Sequence, residues 1–210
     1  MLTEAAYGRP LVASGELTVL PTPSSGIPAV IGLPGHHVIA AAVDEQVVRA
    51  RLRPGDLSQP MSAGFLLFLA GWIGAEPGVL DAVLVATSDA PADLEVWLRD
   101  DLDDHPRVQR ASRYRTDLAV YADRATGEPD GLIVLGRGLA GRAEMAFEVA
   151  PHAQGRGLGR RLAAAARALA PRDEALFAQV SPGNASSLRA VLAAGYRAIG
   201  SEVLFGSEYA

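Results

Sequence analysis

The sequence predicts a mixed α/β fold. Short β-prone apolar runs alternate with helix-period segments through the second half, in the order β-β-β-α-β-α-β-β. Hydrophobic residues make up 49% of the chain and charged residues 20%, enough for a real core. A glycine loop, Gln154-Gly-Arg-Gly-Leu-Gly159, lies between an apolar strand pattern and an Ala/Leu-rich helix pattern. A chain of 210 residues holds one large domain or two small ones. The acidic run Asp100–Asp104, then His105-Pro106, is the natural boundary, giving an N-terminal α/β region over 1–104 and a second domain over 105–210.

The elements follow in chain order. Residues 1–28 are rich in Pro, Gly, Ser and Thr and read as an irregular arm with one short strand at Leu17–Leu20. Ala29–Leu33 and Val38–Val43 are β-prone and form a hairpin through Pro34-Gly35-His36-His37. Asp44 caps a helix over Glu45–Leu52, which Pro54-Gly55 ends. Ser62 opens a second helix, in which Phe65, Leu66, Leu69, Trp72 and Ile73 recur at helical spacing. Phe65 and Trp72 read as core. Leu80–Thr87 reads as a buried strand, and Pro91–Leu102 as a helix with Pro91 near its first turn.

Beyond the boundary, Leu118–Ala122, Leu132–Leu135 and Glu144–Val149 are strands, the last two joined by the hairpin connection Gly136-Arg-Gly-Leu-Ala-Gly141. Leu158, Leu162, Ala165, Ala166 and Leu169 form one helical face, closed by Pro171. Leu176–Val180 is a strand. Ala185–Ala194 is a short helix stopped by Gly195, a good residue just past a helix end. Tyr196–Ile199 and Glu202–Phe205 are two final strands.

Composition excludes several kinds of chemistry. There is no cysteine, so disulfides, thiolate metal sites and a cysteine nucleophile are ruled out. All 19 basic residues are arginine, so no lysine is available for a Schiff base or a P-loop. The net charge of −5 gives no general attraction to nucleic acid. The start Met1-Leu-Thr-Glu-Ala-Ala lacks a signal-peptide pattern, and the run Ala63–Gly74 is shorter than the ~20 apolar residues a bilayer span needs. The expectation is a soluble cytoplasmic protein with no membrane partner. No metal site is expected: His36-His37 has no visible third ligand.

Glycines at 155, 157 and 159 let backbone approach a ligand and adopt positive φ. Behind them a helix start offers unpaired N–H groups and the positive end of a dipole, which suits a phosphate or pyrophosphate. A Walker loop requires lysine, and a dinucleotide fingerprint requires G-x-G-x-x-G within a βαβ unit. Here the spacing is G-x-G-x-G behind an antiparallel-like array. A plain strand-to-helix turn is the remaining alternative.

Gln154-Gly-Arg-Gly-Leu-Gly159 resembles the Q/R-x-x-G-x-G/A signature of the GNAT superfamily of acyl-CoA-dependent N-acyltransferases. Downstream, Asn184 opens a short helix ending in Gly195-Tyr196, similar to the family's second signature. The resemblance covers roughly residues 107–205. It implies a central, mostly antiparallel sheet splayed beside the cofactor strand and flanked by helices, with 1–104 as an α/β extension or lobe. It implies acetyl-CoA as acyl donor. The amides of Gln154, Gly155, Arg156, Gly157, Leu158 and Gly159 and the helix behind them would hold the pyrophosphate, with Arg156 or Arg160 adding charged contacts. Backbone at Phe147, Glu148 and Val149 would pair with the pantetheine arm, and Asn184 would lie near it.

The implied reaction is direct attack of an amine on the thioester. An ammonium is no nucleophile, so a base must take its proton. Glu144 and Glu148, on one face of a strand by period-two alternation, are the candidates, with a solvated sheet face as the alternative. The backbone N–H of Val149 is the candidate oxyanion donor. The tyrosine that often protonates the thiolate in this family lies seven residues after the Asn, where this chain has Val191. Tyr196 reads as a core aromatic, leaving Tyr114, Tyr121, Tyr209 or water as acid. His152 reads as a surface turn residue and Asp100–Asp104 as a solvated stretch. The expectation is an N-acetyltransferase acting on a small-molecule amine, with a homo-oligomer left open. The alternative, motivated by Val191, is a catalytically silent acyl-CoA-binding sensor or partner-binding module.

Overall fold

The computed structural model describes residues 16–87, 92–171 and 173–206. The chain forms two compact units that divide between Val83 and Leu84 and between Ala198 and Ile199.

In the first unit, strands β1 (Glu16–Leu20), β2 (Ala29–Leu33), β3 (His36–Ala40) and the C-terminal part of β11 (Arg197–Gly206) lie in the order β1-β3-β2-β11. β1 runs parallel to β3; β2 is antiparallel to β3 and to β11, and the short β4 (Glu76–Pro77) pairs with β11. The β2–β3 hairpin turns on Pro34-Gly35 alone, with Gly35 at φ 70°. The expected four-residue turn is therefore corrected: His36 and His37 pair with Leu33 and Gly32 inside the ladder. Proline fixes φ at the first turn position and glycine takes the positive φ at the second, so two residues suffice.

Helix α1 (Glu45–Arg51) begins at Asp44, whose side chain accepts from the Gln46 N–H. Helix α2 (Ala63–Ile73) begins at Ser62, whose hydroxyl accepts from the Phe65 N–H, and ends at Gly74 in the left-handed region. Val48, Phe65 and Leu69 close the core against Val30, Ile39, Val203 and Phe205. Trp72 is 52% exposed, which corrects its reading as core. The helix is apolar almost all round: Phe65, Leu69 and Ala70 are buried in the core, Leu66, Phe68 and Ile73 pack against it, and Leu67 and Trp72 are exposed.

In the second unit the sheet runs β5-β10-β9-β8-β7-β6, with β5 Asp81–Thr87, β6 Trp97–Leu98, β7 Thr116–Ala122, β8 Gly131–Arg137, β9 Ala143–Val149 and β10 Ala175–Val180. β6 to β9 are antiparallel neighbours, and β9 and β10 are parallel. Helices α3 (Pro106–Ser112), α4 (Leu158–Leu169) and α5 (Ala185–Ala193) accompany it. The mixed α/β, mostly antiparallel architecture is the one the sequence predicted.

Three elements differ from expectation. No helix covers the described part of 91–102; Trp97–Leu98 is an edge strand on β7, and Pro91 lies outside the described residues. Arg99, 4% exposed, holds this segment through Asp101 and the carbonyls of Arg124 and Gly127. Tertiary partners for one arginine thus override a helical pattern. Second, α3 starts directly at Pro106, with His105 extended before it and its Nδ1 accepting from the Arg107 N–H. Proline at the first helical position loses no needed donor, so the boundary signal is also a helix start. Third, the two final strands are one ten-residue strand, β11.

The two faces of the second sheet differ. Val108 and Ala111 of α3 pack on Val120, Ala122, Leu132, Val134 and Ala146. On the other face, a Cβ at Gly131 would lie 2.6 Å from Leu162 Cδ1, so this glycine makes room for α4.

Candidate functional site

β9 extends beyond its partner. Its parallel pairing with β10 covers Ala143–Met145 against Leu176–Ala178, while β9 continues to Val149. The Ala150 N–H donates to the Asp130 carbonyl, which makes Val149 and Gly131 a non-hydrogen-bonded pair in the β8 ladder. By alternation Phe147 is of the same kind, so the N–H and C=O of both residues point away from β8, toward the side of β10. This is the splayed strand edge that the resemblance led one to expect.

At the end of that edge lies the glycine loop. Gly155 and Gly157 have φ of 74° and 80°, conformations that residues with a Cβ rarely adopt. Nothing lies within 4 Å of where a Cβ would be at either position, so these glycines are required by backbone shape and the loop surface is open. Gly157 is the N-cap of α4 and supplies no side-chain cap, leaving the first-turn N–H groups around Leu158, Gly159 and Arg160 to be met from outside. Arg156 and Arg160 are exposed beside them. Gly159 differs: a Cβ there would sit 3.1 Å from the Phe147 ring, so its absence lets α4 close on β9. The Gln154 side-chain amide donates to the Val149 carbonyl at 3.2 Å, tying the loop to the strand edge. The loop and strand residues Phe147, Val149 and Gln154–Arg160 are thus contiguous, and positive-φ glycines before an uncapped helix start fit a pyrophosphate.

Asn184 is the N-cap of α5, its Oδ1 accepting from the Ser187 N–H. Val191 is fully buried. Tyr196 is buried too; its hydroxyl donates to the Ala163 carbonyl at 3.3 Å, and burial pushes its pKa upward. It is the core aromatic expected. Arg167, which sequence reasoning did not single out, donates to the carbonyls of Thr87 and Ala194. A Cβ on Gly195 would lie 2.6 Å from its Nη1, so this helix-end glycine serves both a φ of 89° and that arginine. Glycine at a helix end was legible; the arginine filling the space beside it was not.

Glu144 and Glu148 share a face of β9 but not an environment. Glu144 is 3% exposed. Its Oε1 accepts from Arg142 Nε and the Leu139 N–H, and its Oε2 lies 2.8 Å from Arg115 Nε. A Cβ at Gly138 would collide with its carboxylate, so the preceding hairpin is glycine-lined to seat it. Burial alone would raise its pKa, but the Arg142 and Arg115 guanidiniums outweigh that and hold it below the usual carboxylate range. Glu148 is exposed, next to Val149 in the chain. Its charge acts on Arg107 of α3, a guanidinium whose pKa burial and the neighbouring Arg115 and Arg110 lower.

The remaining candidates are dispersed. His152 is an exposed turn residue whose Nε2 is 2.8 Å from Asp130 Oδ1. His36 and His37 lie in the first unit, with His36 Nε2 at 2.9 Å from Thr18 Oγ1. Tyr114 and Tyr121 are partly buried, and Tyr209 lies outside the described residues. Among the described residues no helix is long and apolar enough to cross a membrane.

The acetyltransferase (GNAT) family model matches residues 85–196. No curated protein matches the chain. Solved structures similar to it include an acetyltransferase from the GNAT family of Colwellia psychrerythraea, at 10% identity over 70% of this chain and 63% of that one, TM-score 0.42. A GCN5-related N-acetyltransferase from Kribbella flavida is 14% identical over 68% and 63% of the two chains, TM-score 0.42. Another from Sphaerobacter thermophilus is 17% identical over 69% and 56%, TM-score 0.42. The chain thus spans less than two thirds of the length of these three proteins.

Proposed function

Because the chain belongs to the acetyltransferase (GNAT) family, whose model covers more than half of it, we propose that it transfers an acetyl group from acetyl-CoA to the amine of a small molecule. The observation that carries this reading is the outward-facing edge of β9 at Phe147 and Val149, running directly into an open loop with positive-φ glycines and an uncapped helix start. The edge suits an extended amide-bearing arm, and the loop suits a pyrophosphate.

In this reading the amine nitrogen attacks the thioester carbonyl carbon. A C–N bond forms, and the developing oxyanion sits on the Val149 N–H. Glu148, exposed and one residue away, takes the amine proton directly or through water. The C–S bond breaks and the thiolate leaves with the bonding pair. It is then protonated by water, since a thiol pKa of about 8.5 makes it a tolerable leaving group. Glu144, neutralised by Arg142 and Arg115, orders the sheet face and does not move the proton.

The specific alternative is an acyl-CoA-binding module without turnover. It is favoured by Val191, buried where the family often has its acid, and by Tyr196, whose hydroxyl is committed to Ala163. A thiol-release assay over a broad amine panel, run beside acetyl-CoA calorimetry, separates the two. Thiol release with at least one amine supports the enzyme. Binding heat with no release from any amine supports the silent module, and no heat sinks both.

A further inference from the structure

The first unit has a pocket of its own, with a volume of about 300 Å³. Its walls are apolar: Leu17 of β1, Leu52 at the end of α1, and Pro54, Leu57 and Pro60 of the segment that follows. His37 of β3 lines it too. All of these residues belong to the first unit, whereas the glycine loop and the β9 edge belong to the second. The volume is at the low end for ligand sites and suits a molecule of about one ring. The segment after α1 is shaped by its own hydrogen bonds. The Arg53 N–H donates to Gln59 Oε1 at 2.5 Å, and Asp56 Oδ1 accepts from the Ser58 N–H and hydroxyl at 3.0 and 2.6 Å.

The unspent polar group in this pocket is an imidazole. By alternation His37 shares a face of β3 with Ile39, the face that carries the core, and it is 7% exposed. Its Nδ1 is shut from solvent without a hydrogen-bond partner. Gly32 on the neighbouring strand makes room for the ring, since a Cβ there would lie 3.3 Å from His37 Nε2. Burial and the adjacent His36 hold the His37 pKa below the usual histidine value, so the ring is neutral at pH 7 and carries one donor and one acceptor. His36 differs: it lies on the opposite face, with Nε2 2.9 Å from Thr18 Oγ1. An unmet nitrogen among apolar walls costs free energy that a leucine at the same place would not. The charged side chains of the lining are engaged elsewhere. Arg49 donates to Glu45 at 2.7 Å and to the Leu17 carbonyl at 3.1 Å, and Asp56 is held by Ser58. Arg53 is exposed to water. An ionised ligand would therefore bury its charge without a buried counter-charge, which is costly.

We propose that this pocket binds a small neutral molecule with an apolar ring and one hydroxyl group, a phenol or a cyclic alcohol, whose hydroxyl bonds to the His37 imidazole while its ring packs on Leu17, Leu52 and Leu57. A hydroxyl both donates and accepts, so it complements either tautomer of the ring. Leu57, 41% exposed, is the apolar lip of the pocket. The site goes beyond acyl transfer and stands whether or not the chain turns over acetyl-CoA.

Calorimetric titration of the full chain with 4-methylphenol, toluene and 4-methylbenzoate tests this. The three share one ring and differ in the polar group. 4-Methylphenol is expected to bind ~5-fold or more tighter than toluene, the worth of one buried hydrogen bond, with 4-methylbenzoate the weakest. His37→Leu keeps a similar volume and removes the hydrogen bond. It should bring 4-methylphenol down to the affinity of toluene without lowering the unfolding midpoint. Leu57→Trp, a change at the exposed lip, should fill the pocket and abolish binding of both. Toluene binding as tightly as 4-methylphenol, or a hydroxyl preference that survives His37→Leu, overturns the hydroxyl assignment. 4-Methylbenzoate binding tightest overturns the neutral class. Binding that Leu57→Trp leaves intact lies elsewhere and overturns the site. No saturable heat from any of the three means that the pocket takes solvent alone, which also overturns the proposal. Should His37→Leu fail to fold, the wild-type order of the three compounds and Leu57→Trp still decide.

Discussion

Two glutamates four residues apart on one strand have opposite fates, decided by what surrounds them. Glu144 is sealed between Arg142 and Arg115, and Glu148 faces water. Replacing Glu144 with Gln removes the carboxylate that both guanidiniums contact and is expected to cost about 3–5 kcal/mol, read as a lower denaturant midpoint. Its folded pKa is depressed, so the stability it contributes is full above the unfolded value of about 4.3. That contribution is lost as pH falls through the lower folded value. Wild type should therefore lose stability on acidification below about pH 4.3, and Glu144→Gln should show less of this slope. An equal slope in both would place the acid sensitivity elsewhere. Glu148→Gln should leave the unfolding midpoint nearly unchanged and lower kcat by roughly 10²- to 10⁴-fold, the range of a general base. Unchanged kcat would leave proton removal to water. None of this asymmetry was legible in Glu-Met-Ala-Phe-Glu, because alternation gives the face and not the neighbours.

At the scale of elements, the glycine loop divides its three glycines between two jobs. Gly155 and Gly157 supply positive φ, while Gly159 supplies proximity of α4 to Phe147 on β9. Gly155→Ala should cost about 1–2 kcal/mol through backbone strain alone. Gly159→Ala should destabilise by about 1 kcal/mol through crowding, and by less when Phe147 is Leu. A double-mutant cycle by thermal unfolding measures that coupling, and zero coupling would refute the packing role. The sequence marked the loop and the helix behind it. It did not mark α3, because Pro106 was read as punctuation when it is the helix's first residue. Nor did it mark the strand at Trp97, which Arg99 fixes through carbonyls about 25 residues further along the chain.

At the scale of the whole molecule, the second compact unit is one continuous stretch of chain and the first is not. The first is completed by residues from Ile199 onward, where Val203 and Phe205 are core. A chain ending at Ala198 is expected to lose cooperative unfolding of the first unit, seen as loss of amide protection in β2 and β3 by hydrogen exchange. Retained protection there would show that β11 is dispensable. Acetyl-CoA at 100 times its dissociation constant should stabilise the wild type by about 2.7 kcal/mol. Gly157→Trp should abolish that gain, and persistence of the gain would mean the pyrophosphate is held elsewhere.

By itself the sequence determined the α/β class, the glycine loop ahead of a helix, the Asn184 and Gly195-Tyr196 helix, and the family they resemble. These are local features: turn chemistry, caps and periodicity act over a few residues and are written contiguously. Tertiary structure alone decided where β9 leaves β10, which glutamate is buried, and that Arg115 joins Glu144 to Gln179. Convergence joins residues from separate elements, and a lone arginine in a sequence carries no sign of whether its partner is water, a carboxylate or another arginine. Burial sets that, because charge is cheap in water and costly in the interior.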